Sequence, residues 1–413
     1  MTDHAPFAVR PFSSDVAVVL GSVGAAAVLS LLYLVVAGRF LGPAEYSDFA
    51  AAVSLATLLA VALGALTPIT SILSARYVAD GQPARVRGLV RKLLRIVLAS
   101  AVLLFAISIV AGPYIARGLQ LRSAGVLSAA ILVYAGLAAA SVIRAALRGS
   151  QRYGAYGWGV VAEAAVRLAA GVALLLIAKA AVLAVLPYAI GTFVASVAGL
   201  RVLRSLDHES QPVALGEVTA LLGPTALLLV SMAVFQNIDV LLVKRFFSAG
   251  EAGVYGAAAG LARTMSLLLM PLETLLLPRL SYLVQRREDA VRPMTRLTML
   301  FLLFAAVPLL LFWLVPRPIV TMVFGAAYES AAPLLLPLAA AVLLLYLTYV
   351  AGQALISVGR PGPAYAFAVA VAVEVTLVTL FHQSLLQVAA ILVMTRAATL
   401  LIVLGSIARR RAR

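Results

Sequence analysis

Apolar residues run along this chain in blocks of 18 to 27 positions, and the polar residues collect between the blocks. Twelve blocks can be marked, at about 14–37, 49–72, 93–112, 124–146, 157–178, 181–202, 219–243, 250–276, 297–315, 333–356, 364–381 and 385–407. A helix needs about 20 residues to cross the hydrocarbon layer of a membrane, so each block is long enough for one crossing. The links are short and marked by Gly, Pro or charge, as in Gly38–Asp48, Gly149–Gly154 and Ser357–Pro363. The first block is too long, and too poor at a cleavage site, for a signal peptide, and is expected to be the first transmembrane helix.

Composition removes several classes of function. The chain has 413 residues, 63% hydrophobic and 12% charged, whereas a soluble domain is about half apolar and a quarter charged. So little polar surface cannot enclose so much apolar chain, which excludes a soluble monomer and leaves little room for a soluble domain. The absence of cysteine excludes disulfides, thiolate metal sites and thiol nucleophiles. The histidines, His4, His208 and His382, fall in loops or the N-terminal tail and make no metal site. None of Lys92, Lys179 and Lys244 sits in a phosphate-binding loop. No catalytic, cofactor-binding or metal-binding residues are expected, and the chain reads as a protein other than an enzyme.

The net charge of +16 would suggest nucleic acid in a soluble protein. Here it is tested by counting. With both termini in the cytoplasm, 22 of the 32 Lys and Arg residues fall in the tails and cytoplasmic loops, 7 in the outer loops and 3 within spans. That bias matches the positive-inside rule, predicts cytoplasmic termini, and explains the charge without nucleic acid. The basic loops would meet anionic lipid headgroups.

Residues 39–51 and 245–257 align without a gap at a spacing of 206 positions, half the chain. Arg39 and Arg245, Phe40 and Phe246, and Glu45 and Glu251 are identical, and Phe49 matches Tyr255 in aromaticity. Each stretch follows an odd-numbered span, and each half then reaches a basic loop, at 76–95 and 279–296. The expected fold is therefore an all-α integral membrane protein of about 12 helices. They form two six-helix lobes, residues 1–205 and 206–413, the parallel-repeat plan of a two-lobed transporter.

The segments Gly38–Ala50, Arg148–Tyr153, Asn237–Phe247, Ala252–Ala258 and Leu277–Ser281 resemble, in order and spacing, motifs of Wzx-type polysaccharide flippases. These belong to a superfamily that includes lipid II flippases and multidrug extruders. The resemblance implies transfer of an undecaprenyl-diphosphate-linked oligosaccharide between the leaflets of a bacterial plasma membrane. It further implies alternating access without cofactors, a monomer, and partners among polysaccharide polymerase or export proteins. It also implies that helices one, two, seven and eight line the cavity between the lobes.

Ionisable residues within spans are costly and usually face a cavity or a partner. Glu163 and Arg167 stand at i,i+4 on span five, and Glu374 and Arg396 lie at similar depth in spans eleven and twelve. Both sets read as ion pairs with a structural or coupling role. Arg263 lies about 14 residues into span eight with no counter-charge nearby in sequence. With the family's cavity it becomes the expected diphosphate contact, because a guanidinium grips phosphate oxygens in pairs. Asp239, beside Asn237, would balance it, bind a cation or meet sugar hydroxyls. Arg39 and Arg245 close spans one and seven and would flank an outer gate or anchor at the interface. Pro68 and Pro271 would kink repeat-related helices. Trp158, Tyr188 and Trp313 read as interfacial belt residues. Two other function classes stay open: a cation-coupled multidrug extruder of the same fold, and a membrane-embedded polysaccharide polymerase or ligase. A scaffold would leave the repeat and the buried charges unexplained.

Overall fold

The computed structural model describes residues 12–64, 66–205, 211–214, 216, 223–266, 291–356 and 360–408. Helices α1 (Phe12–Phe40), α2 (Pro43–Gly64), α3 (Leu66–Ala79), α4 (Pro83–Gly118), α5 (Ala124–Gly149), α6 (Tyr153–Ile177) and α7 (Ala181–Arg204) form the first half. The second half contains α8 (Pro224–Phe246), α9 (Ala249–Arg263), α10 (Val291–Leu314), α11 (Pro316–Val323), a 3₁₀ turn (Ala326–Ala331), α12 (Ala332–Ile356), α13 (Gly362–Leu380) and α14 (Leu385–Ala408). There is no strand among the described residues.

Ten of these helices are long and apolar enough to cross a membrane. An eleventh crossing comes from residues 302–323 if α10 and α11, bent by 93° at Val315, count as one span. The proline pair Pro316 and Pro318 explains the bend, since proline starts a helix readily but cannot continue one. The expected eighth span corresponds to α9, and its continuation beyond Ser266 lies outside the described residues, as does Pro271. Pro68 lies in α3, which is parted from α2 only by position 65, outside the described residues.

The polarity of the bundle is inverted relative to a soluble protein. Large apolar side chains are exposed along α4 (Leu98, Val102, Ile109) and α10 (Met299, Leu303, Val307), while Asp48, Lys244, Glu374 and Arg396 are buried. Lipid tails accept such an exterior, and buried charges find partners inside. Trp158 and Trp313 are indeed exposed. Tyr188 is not a belt residue, however: its ring packs edge-on to Tyr33 and lies beneath the Arg167 guanidinium.

Within the first half, α5 packs against α2, α3, α4 and α7, and α1 packs against α6. Within the second, α12 packs against α8, α9, α10 and α14. The halves meet mainly where α2 lies against α8 and α9. Glycine makes that approach possible: a Cβ on Gly253 would fall on the carbonyl of Pro43, and one on Gly256 would press on Ala50. Small residues at such crossings let membrane helices approach closely.

A one-ended latch and two buried charge clusters

The contact between the halves is concentrated at one end of the bundle, where α1 ends and α2 begins. Lys244, in the last turn of α8, lies 2.6 Å from Asp48 of α2, and each side chain is only 1% exposed. Its ammonium also donates to Ser47 Oγ at 2.7 Å. Neither residue belongs to a recognisable charge pattern. Lys244 reads from sequence as an outer-loop lysine, and 196 positions separate it from Asp48.

Around this pair sit two clasps related by the internal repeat. Arg39 donates to the carbonyls of Thr321, Met322 and Val323, the last turn of α11. Arg245 donates to the carbonyl of Gly118, the last residue of α4, at 2.8 Å, and Gln120 donates back to the Arg245 carbonyl at 3.0 Å. The last carbonyls of a helix have no internal partner and carry partial negative charge, so an arginine is a fitting cap. Each half thus caps a helix of the other, with acceptors Gly118 and Val323 spaced almost as the arginines are. Tyr328 adds a hydrogen bond to the Leu41 carbonyl at 2.7 Å. Between described residues of the two halves, the ion pair and every side-chain hydrogen bond but one lie at this end; the exception is Lys92 of α4, which donates to the carbonyl of Val213 in the segment connecting the halves, at 2.6 Å.

The repeat-related acids do different work. Glu45 accepts from Arg122 and from the backbone N–H of Ala181, each at 2.9 Å, tying α2 to α7 within one half. Glu251 closes a capping box with Ser248 at the start of α9.

Each half also buries a charge cluster. In the first, Glu163 takes Arg144 of α5 together with Arg167 at 3.7 Å, and Arg167 donates to Ser30 of α1. Arg144, which sequence alone places with the basic residues of the loop after the fourth span, is inside α5 and completes this three-charge group. In the second half, Arg396 lies 3.3 Å from Glu374 and donates to the Phe235 carbonyl at 2.5 Å, while Thr395 donates to Glu374 at 2.7 Å.

Arg263 pairs with Asp239 at 2.8 Å, and Tyr255 donates its hydroxyl to the other Asp239 oxygen at 2.9 Å. The charge that has no partner in its own helix is therefore balanced by the neighbouring one. Asn237 is buried and turns back to the Ala233 carbonyl at 2.9 Å. Asp239, Arg263 and Arg396 share a cavity of about 130 Å³ with Gln236, Ser266 and Tyr346. Its walls come from α8, α9, α12 and α14, all in the second half. A cavity with two guanidinium groups and one carboxylate can accept an anionic group. It is too small for a whole glycan and can hold only part of one.

Comparison with known proteins decides the family. The model for "Polysaccharide biosynthesis protein" matches residues 12–284, more than half of the chain. The chain belongs to that family. No curated protein matches its sequence. Among solved structures, the inward-facing form of a multidrug resistance MATE family transporter of the MOP superfamily superposes with a TM-score of 0.69 at 15% identity, covering 93% of this chain and 95% of that one. The lipid II flippase MurJ, in an inward closed conformation, gives 0.69 at 12% identity, covering 94% and 86%. An outward-facing MATE structure gives 0.60 at 15% identity, covering 96% of each chain. These likenesses show the fold: an all-α multi-pass membrane protein built like the MATE and MurJ transporters. For a member of the polysaccharide biosynthesis family, the latch residues Asp48 and Lys244 are the main addition that the three-dimensional structure makes to the site.

Proposed function

We propose that the protein carries an undecaprenyl-diphosphate-linked oligosaccharide from the inner to the outer leaflet of a bacterial plasma membrane, by alternating access. Such transfer serves cell-surface polysaccharide assembly. The observation that carries the reading is the one-ended latch. It lies at the end opposite the basic loops, and the positive-inside rule assigns the basic end to the cytoplasm. The latched end is then the outer gate, closed here, and both termini are cytoplasmic. The better overlay on the inward-facing MATE structure than on the outward-facing one supports the same state.

Two six-helix lobes, divided near residue 205, rock about the α2–α8–α9 contact. Breaking the latch opens the outer side. In the inward state, the diphosphate is drawn by arginine, and Arg263 leaves Asp239 to grip it. No bond is made or broken, so the protein works as a transporter rather than as an enzyme, and as a monomer. Asp239, Glu163 and Glu374 are the acids through which an ion gradient would act.

A second reading, a multidrug extruder, takes support from the MATE-like fold. The cavity opposes it, because its lining carboxylate, Asp239, is already held by Arg263 and Tyr255, which leaves no free acid on its described lining to hold an organic cation. Thermal stabilisation of the purified protein separates the two readings. The flippase reading expects a raised melting temperature with an undecaprenyl-diphosphate oligosaccharide and none with an organic cation such as rhodamine. The reverse result would sink it.

A further inference from the structure

At the basic end of the first half, α4 carries Arg87, Arg91 and Arg95 at every fourth position, so the three share one face. Across a groove from them stands Arg204 of α7, and α4 and α7 both rest on α5. The groove holds about 290 Å³, and among the described residues its lining has four arginines, apolar side chains such as Leu94 and Leu98, and no acid. Arg91, Arg95 and Arg204 are exposed, and none has an ion pair or hydrogen bond among the described residues. Like charges set a turn apart repel one another, so the arrangement favours an anion between them.

The same face of α4 then changes character. Leu98, Val102, Phe105 and Ile109 follow at steps of three or four residues, and all are exposed. On α7, Phe193 and Val194 are exposed as well. One continuous surface is therefore cationic over its first turns and apolar beyond. A free phosphate would use the arginines and leave the apolar stripe without a role. An amphiphile with an anionic head and hydrocarbon tails uses both.

We propose that this groove binds an anionic membrane phospholipid of the leaflet at the basic end. Its headgroup phosphate lies among Arg91, Arg95 and Arg204, and an acyl chain lies along Leu98, Val102 and Phe105. Guanidinium groups grip phosphate oxygens in pairs, and basic pockets between membrane helices suit such headgroups. The site lies in the outer wall of the first half, separate from the Asp239–Arg263 cavity, and does not depend on the transport reading.

The test uses the full chain, delipidated in neutral detergent, with bound lipid read by native mass spectrometry. Phosphatidylglycerol is expected to bind one site, phosphatidylcholine to bind far more weakly, and millimolar inorganic phosphate not to compete. Replacing Arg91, Arg95 and Arg204 with Gln should weaken phosphatidylglycerol at least about tenfold, since the charged hydrogen bonds to its phosphate are lost. Replacing Arg76, Arg152 and Arg201 with Gln, which removes the same charge from the same end, should leave binding near the wild-type level. Leu98→Gln with Val102→Gln should also weaken lipid binding, although every arginine is kept. Equal binding by the first variant overturns the proposal, as does an equal loss in the charge-matched control. Competition by inorganic phosphate, or indifference to the Leu98 and Val102 changes, would mean a free-anion site instead and would also overturn it. All substituted side chains are exposed, and monodisperse elution checks that the variants fold.

Discussion

Replacing Asp48 with Asn should unlatch the outer end. In the closed state Lys244 is 1% exposed, and its charge is met by Asp48 at 2.6 Å and by Ser47. Removing one partner of a buried ion pair costs about 3–5 kcal/mol, because the remaining charge is left without compensation. Opening that end admits water to Lys244 and relieves most of the cost. The equilibrium between closed and open should therefore move toward open by about 10²- to 10³-fold, at ~1.4 kcal/mol per tenfold. The chain has no cysteine, so a single Ala50→Cys, placed where α2 faces Gly256 of α9, reports opening through a membrane-impermeant thiol reagent. Asp48→Asn should raise the labelling rate by up to that factor. Asp48→Asn combined with Lys244→Met removes both charges and should return labelling to within about tenfold of wild type, since an apolar replacement of a buried pair is often neutral. A folded Asp48→Asn protein that labels at the wild-type rate would refute the latch.

Three further expectations use the same reasoning. Arg39→Gln and Arg245→Gln each remove an exposed helix cap of about 0.5–1.5 kcal/mol, so each should speed Ala50→Cys labelling a few-fold, and the effects should multiply in the double variant. An effect from only one arginine would contradict the repeat-related pairing. Gly253→Ala should hold α2 and α9 apart, because its Cβ falls on the Pro43 carbonyl; thermal midpoint should drop and labelling rise, and unchanged labelling would count against that contact as the closing surface. Glu374→Gln strands Arg396, which is 4% exposed, and should lower the thermal midpoint by several degrees, with Glu374→Gln plus Arg396→Met largely restoring it. Equal midpoints for the single and double variants would show that the pair carries no such role.

The membrane-spanning pattern was readable because hydropathy acts over twenty-residue blocks and needs no partner. The match of Arg39 with Arg245 was readable for a similar reason, since a repeat is visible in one dimension. What each arginine does was not: their acceptors are backbone carbonyls more than a hundred positions away, and a carbonyl has no letter in the sequence. Asp48 and Lys244 were hidden because each stands beside a loop, where a charge ordinarily meets water. Arg144 was hidden in the same way at the end of α5. Arg263 was visible as a charge within a span, with Asp239 as one reading of its balance; that Tyr255 completes the group needed the three-dimensional contact.

The most direct measurement of the central claim is lipid transfer itself. The purified protein is reconstituted in liposomes with a fluorescent undecaprenyl-diphosphate oligosaccharide, and exposure in the opposite leaflet is followed with and without ion gradients, beside Arg263→Ala. The account predicts transfer by the wild type and its loss in the variant, with Ala50→Cys labelling showing that the variant still folds and opens. Absence of transfer of any lipid-linked sugar, together with extrusion of an organic cation, would contradict it.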